Sequence, residues 1–213
     1  MSHGESEESA ENEGPEAREE REDGLRGRLV RAGVELVNAE GAQALSLREI
    51  ARRAGVSHGA PRRYFPTHLD LLSAIARQGF AELAARLAEE DREDAGPRER
   101  IAILARVYLD YAGARRGMYE LMFRHDLLES GRLGLRETSL PLFAHLTGLV
   151  ARVTVSGSGA DAALRAGALW ANLHGIAQLW HWGSLRLATG GADPAPFLAA
   201  ALDAHLGPGE PTP

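Results

Sequence analysis

The chain has 213 residues, is 44% hydrophobic and carries a formal net charge of −6, which is enough for one extended body or two small domains with an ample core. It has no cysteine, which excludes structural disulfides, thiolate metal sites and cysteine catalysis. No apolar run reaches membrane-spanning length and no signal-peptide pattern is present, so the expected compartment is cytoplasmic and no membrane partner is expected.

Charge divides the chain into three regions. Residues 1–23 hold ten acids and two arginines, 24–68 hold eight arginines and three acids, and 69–213 hold fourteen arginines and seventeen acids. One small basic region therefore sits on an otherwise acidic chain. Residues 1–23 are Glu-rich and nearly without apolar side chains, so they are expected to form a disordered acidic tail. A first helix follows from about Leu25 to Ala39, with Leu29, Ala32, Gly33 and Leu36 on one face. Arg26, Arg28 and Arg31 stand near its start.

Residues 45–68, LSLREIARRAGVSHGAPRRYFPTH, read as a helix-turn-helix. Ser46 and Glu49 read as an S-x-x-E capping box, and Leu47, Ile50, Ala51 and Ala54 recur at helical spacing. Gly55 supplies the turn, Val56 fills the angle between the helices, and Ser57 is placed to cap a second helix. That helix carries His58, Arg62, Arg63 and Tyr64, donors suited to phosphates and base edges. GVSHG also matches the nucleophile elbow of hydrolases, but that motif needs a strand before its serine, and Arg48 to Ala54 have helical spacing. The basic excess around this element is the footprint that duplex DNA requires.

The pattern of Ala51, Ala54, Gly55, Val56, Ser57, Gly59, Phe65, Leu71 and Leu72 resembles the N-terminal domain of the TetR family of one-component transcriptional regulators, over about residues 25–91. The resemblance implies an all-α fold, in which a three-helix DNA-binding domain precedes a larger helical domain that binds a small molecule and dimerises. It implies DNA-contacting roles for Ser46 and Arg48 at the start of helix 2. It implies the same for Ser57, His58, Gly59, Ala60, Arg62, Arg63 and Tyr64 around the recognition helix, and for His68 at the start of helix 4. Three positions depart from the family pattern. Ala60-Pro61-Arg62 stands where many members have Thr-Leu-Tyr, with Pro61 fixing the helix start and Arg62 offering a guanidinium for a guanine edge. His68 stands where lysine is usual, which ties that phosphate contact to imidazole protonation.

A fourth helix begins at Thr67, where Thr-x-x-Asp70 is a weaker capping signal, and runs to about Asp91. Domain bounds are therefore expected at 24–68 for the DNA-binding domain, 69–91 for a linking helix and 97–206 for the second domain, with 207–213 as a loose end. After Pro97 each segment again reads as helix: about 97–113, 115–128, 132–153, 160–189 and 194–206, with Pro141 expected to kink or split the third. The segment from Trp170 to Trp182 resembles the Trp…His-Gly signature of a subgroup of TetR C-terminal domains, labelled WHG. Trp170, His174 and Gln178 share one face of this helix, and Asn172, Ile176 and Trp180 share another. Gly175 within a helix costs about 1 kcal/mol against alanine, which suggests close approach of another helix, such as a partner subunit's.

Two readings of His174 and Asn172 stand side by side: satisfied core or interface residues, or polar groups orienting a ligand in an apolar cavity. Tyr108, Tyr111, Met118, Met122, Phe123 and His125 are candidates for further wall. No metal is expected. No H-x-x-x-H or HExxH pair occurs, and His174 and His181 stand two turns apart, about 10 Å. No cofactor is expected either, since there is neither a P-loop nor a GxGxxG, and no base–nucleophile pair supports an enzyme. The expected function is thus a homodimeric regulator, most simply a repressor released from a palindromic operator on double-stranded DNA by a small hydrophobic molecule. The alternative is an architectural or non-specific DNA-binding protein without an effector.

Overall fold

A computed structural model of the chain describes residues 15–130, 134–153 and 159–208. Every regular element among them is helical. The first helix, α1 (Pro15–Glu40), begins ten residues before the expected start, so the acidic tail is not disordered over 15–23; residues 1–14 lie outside the described residues. The tail's composition lacks a core-forming face, but lengthening a helix that already exists needs none. Pro15 suits a first turn, and alanine, arginine and glutamate propagate it, with acids near the positive end of the helix dipole.

A 3₁₀ turn (Ala42–Ala44), α2 (Leu47–Arg53), α3 (Ala60–Tyr64) and α4 (His68–Glu90) complete the N-terminal unit. Leu29, Leu36, Ile50, Phe65, Leu71 and Ile75 are fully buried and lock α1, α2, α3 and α4 together. Gly55 between α2 and α3 has φ 67°, a left-handed conformation that costs glycine little and other residues much. At Thr67 the capping box is complete. Thr67 Oγ1 accepts from the Asp70 amide at 3.1 Å, and Asp70 Oδ2 accepts from the Thr67 amide at 2.9 Å.

The second unit comprises α5 (Pro97–Ala114), α6 (Arg116–Met122), α7 (His125–Ser130), α8 (Leu135–Val153), α9 (Gly159–His181), α10 (Ser184–Thr189) and α11 (Ala195–Leu206). Helix α4 packs on α5, α6 and α8, α9 lies across α8 and α5, and α11 covers α9. Three expectations for this region change. The helix expected over 115–128 breaks at Phe123–Arg124, and the one over 160–189 breaks at Trp182–Gly183, where Gly183 has φ 76°. Pro141 lies within α8 without dividing it. It sits on an exposed face, where water can take the Glu137 carbonyl that the missing N–H leaves unpaired.

Helix α6 is the bridge between the two units. It touches α1 and the 3₁₀ turn on one side, and α4 and α5 on the other. A Cβ on Gly117 would collide with the Val37 carbonyl oxygen and stand 2.9 Å from Gly41 Cα. Both are backbone atoms, which cannot rotate away. Gly148, in α8, would meet nothing within 4 Å. Gly117→Ala should therefore destabilise by about 1–3 kcal/mol through overpacking, whereas Gly148→Ala should stabilise by about 0.5–1 kcal/mol. Urea unfolding of both variants checks this, and equal responses would show that the α6–α1 contact is not tight.

Candidate nucleic-acid interface and internal cavity

The surface made by α2 and α3 starts from local capping. Ser46 Oγ accepts from the Glu49 amide at 3.2 Å, which starts α2. The Glu49 carboxylate does not return to the Ser46 amide as a full box would have it. It accepts from Arg52 at 2.6 and 2.9 Å and from Arg53 at 3.0 Å, and these guanidiniums, Arg52 first, hold its carboxyl down at about 2. Arg53 also pairs with Glu40 at the end of α1. Arg26 lies with its guanidinium carbon 5.6 Å from the centre of the buried Phe65 ring. Three of the basic region's arginines thus build the domain itself.

The remaining candidates face outward. Ser46, Arg48, Ser57, His58, Gly59, Arg62, Arg63 and His68 are exposed, while Ala60 and Tyr64 are half-buried. Arg48 and Arg62 carry no ion pair among the described residues. Ser57 does not cap α3 with its side chain. Residues 58 and 59 form a turn, and the Ser57 carbonyl accepts from the Ala60 amide at 3.0 Å. The helix starts late because Pro61, buried in its first turn, fixes the backbone there. What results is a short, cationic, solvent-facing helix of a size that enters a major groove.

A cavity of about 640 Å³, partly open to solvent, lies between α4 and the second unit's α5, α7, α8 and α9. Phe80, Leu83 and Leu87 of α4, Leu104 of α5, and Phe143 and Leu146 of α8 form much of its wall. Of the residues singled out in the sequence, Tyr108, Phe123 and Trp170 line it. The others stand elsewhere. Tyr111, Met118 and Met122 are fully buried in the core, where the Tyr111 hydroxyl donates to the Gly79 carbonyl at 3.1 Å and its ring takes Arg86 on its face. Asn172 pairs with His205 of α11 at 2.7 Å. His125 opens α7, and Gln178 lies in the last turns of α9, neither on the cavity wall. Residues of α4 and α8 were not singled out because an apolar helix face looks the same whether it meets a core or a void.

His174 stands behind the wall. Its Nδ1 lies 2.7 Å from the Tyr119 hydroxyl and 3.0 Å from that of Tyr108, and the two hydroxyls are 2.8 Å apart. Burial lowers the imidazole pKa and raises Tyr108 to about 12. With the imidazole proton on Nε2, the Nδ1 lone pair accepts from the closer Tyr119 hydroxyl, which in turn accepts from Tyr108. The Tyr119 ring stacks on His174 at 5.4 Å, and Phe123 and Trp170 surround both. At another point of the wall stands Asp91, just past the end of α4. It accepts from Arg100 at 2.7 and 2.8 Å and from His145 at 3.1 Å. Arg100 above all holds the Asp91 carboxyl below the usual range.

An apolar strip runs along the outside of α9. Leu164, Ala168, Leu179 and Trp182 are exposed at helical spacing, and a Cβ on Gly175 would meet nothing within 4 Å. No group of three or more metal-ligating side chains occurs among the described residues. No helix among them is long and apolar enough to cross a membrane.

Comparison with known proteins adds the following. Residues 29–75 match the family described as bacterial regulatory proteins, tetR family, and residues 101–205 match the tetracyclin repressor-like C-terminal domain. The HTH-type transcriptional regulator BetI of Rhizobium meliloti is 35% identical over 79 residues, 37% of this chain and 39% of the relative, so the match spans about two fifths of that relative's length. A structure of a protein of unknown function from Rhodococcus sp. RHA1 is 31% identical, covers 85% of this chain and 93% of its own, and has a TM-score of 0.71. A multidrug binding protein, EbrR, complexed with imidazole, is 27% identical over 93% of this chain and 94% of its own, at a TM-score of 0.55.

The lowered pKa of His174 sets a pH dependence. The unfolded chain takes up the proton near 6.5 while the folded one resists it. The stabilising contribution is complete above about 6.5 and is lost as pH falls from there through the folded value. His174→Gln keeps a neutral acceptor and should flatten this part of the profile. Thermal melts at pH 7.5 and 5.5 test it, and parallel losses in both proteins would place the titration elsewhere.

Proposed function

The chain belongs to the tetR family of bacterial regulatory proteins, and on that premise we propose that it is a homodimeric, ligand-responsive repressor. A small hydrophobic molecule in the α4–α9 cavity releases it from a near-palindromic operator. One observation carries this reading: α4 is a single helix shared by both ends of the molecule. Its first turn, from His68, follows the recognition helix after three residues, and Phe80, Leu83 and Leu87 farther along form cavity wall. Its 23 residues span about 34 Å at 1.5 Å per residue. A ligand that prefers one setting of α4 therefore biases the position of α3, by no more than its differential affinity for the two settings.

On the DNA side, Ser46, Arg48, Ser57, His58, Arg63, Tyr64 and His68 hold phosphates or frame the groove, and Arg62 reads a base. The second copy docks on the outer strip of α9, where Gly175 lets backbones approach. Two recognition helices then enter successive major grooves about 34–36 Å apart.

In vitro selection from a random duplex pool at physiological salt should return an inverted repeat. On that repeat Arg62→Ala should cost about 1–3 kcal/mol and relax specificity at one position per half-site. Salt-sensitive binding with no recovered motif would favour an architectural DNA-binding protein instead. Equal loss on random DNA would make Arg62 a phosphate contact. For the dimer, Leu179→Glu with Trp182→Glu should halve the mass seen by light scattering while helicity is kept; an unchanged mass would move the interface elsewhere.

A further inference from the structure

The cavity's chemistry narrows its occupant further, an inference that rests on the receptor reading above. We infer that the cavity selects uncharged, ring-bearing apolar molecules and discriminates against organic anions of the same shape. Three features of the wall lead there.

The first is the fate of its charges. Asp91 is the acid on the wall, and both its oxygens are taken, by the two-pronged Arg100 contact and by His145. Arg100 itself is buried and is not part of the wall. No arginine lines the cavity. An anionic ligand would give up its hydration without meeting a free cation, since the wall's His145 is engaged by Asp91, and it would stand near that carboxylate. A cationic ligand would have to compete with Arg100 and His145 for a carboxylate already satisfied.

The second is the state of the neutral polar groups. The hydroxyls of Tyr108 and Tyr119 and the His174 nitrogen satisfy one another. Ser139 of α8 is the wall's remaining hydroxyl, and it stands among side chains that are nearly all apolar, so the wall offers a ligand little polar recognition. Binding energy must come from burying apolar surface and from contact dispersion.

The third is the ring cluster. Phe80, Tyr108, Phe123, Phe143 and Trp170 all reach the cavity, with successive ring centres 5.6–6.3 Å apart and edge-on or tilted. Rings so disposed offer both edges and faces to another ring, the arrangements aromatic pairs favour. The volume of about 640 Å³ has room for more than one such ring.

The test uses the full-length protein and a matched pair of fluorescent probes: N-phenyl-1-naphthylamine, which is uncharged, and its 8-sulfonate. A trimethylammonium analogue of the same skeleton is the third probe. The uncharged probe should bind at least tenfold more tightly than either charged one. Ala84→Phe and Ser139→Phe, which add bulk on the wall from α4 and α8, should each remove most of that binding while helicity by circular dichroism is kept. Equal or tighter binding of the sulfonate, or of the cation, overturns the charge selectivity yet leaves the receptor reading intact. Binding of the uncharged probe that neither filling variant weakens puts the probe outside the cavity and overturns the assignment. No binding of any probe by protein that still selects an operator overturns the receptor reading itself.

Discussion

A single uninterrupted helix, α4, fixed at both ends by charge-assisted hydrogen bonds, is the constraint on which the rest of the molecule depends. At its start the Thr67–Asp70 capping box consumes free amides that would otherwise fray into the recognition region. Just past its end, Asp91 is clamped by Arg100 of α5 and His145 of α8. Between those points the helix buries one side in the DNA-binding unit through Leu71, Leu72 and Ile75. Farther on it lends Leu83 and Leu87 to the cavity. Pinned at both ends, α4 is held as one continuous rod between the two units.

The α6 bridge holds that rod at its middle. Met118 and Met122 pack against Gly79 at the middle of α4, and Gly117 presses on the Val37 carbonyl and Gly41 at the end of α1. Tyr119 and Phe123, from the same stretch, reach the His174 network and the cavity wall. One short helix and the residue that ends it therefore touch the recognition unit, the connecting helix and the wall together. Methionine suits two of these contacts, because its flexible thioether fills an irregular gap closely.

The N-terminal unit was largely legible in the sequence because its signals are local. Ser46, Gly55 and Thr67 each act within three or four residues, and the structure shows a cap, a positive φ and a capping box at these positions. Two local readings still needed the fold. Glu49 answers Arg52 and Arg53 in place of the Ser46 amide, and Pro61 delays α3 beyond the reach of Ser57. The acidic stretch 15–23 became helix because α1 was there to extend. The cavity was less legible. Tyr108, Phe123 and Trp170 carry an aromatic signal, but Tyr111, Met118 and Met122 carry the same signal and lie in solid core. What separates them is the space left between α4 and α8, which depends on contacts distant in sequence and leaves no periodicity of its own. His174 was equally ambiguous, since a satisfied core histidine and a wall-positioning one have identical sequence neighbours.

The arginine pairings in the recognition unit bear on how it engages a polyanion. Its basic region counts eight arginines, but Arg52 and Arg53 are committed to Glu49 and Glu40, and Arg26 to the Phe65 ring. Each cation already neutralised by a carboxylate displaces no condensed sodium or potassium when a duplex arrives. The release of bound counterions, which drives non-specific association and steepens its dependence on ionic strength, thus draws on fewer charges than composition implies. On the proposed reading, such a unit leans less on bulk electrostatics and more on the fit of a few side chains to one stretch of groove, so its grip on a duplex changes less with salt.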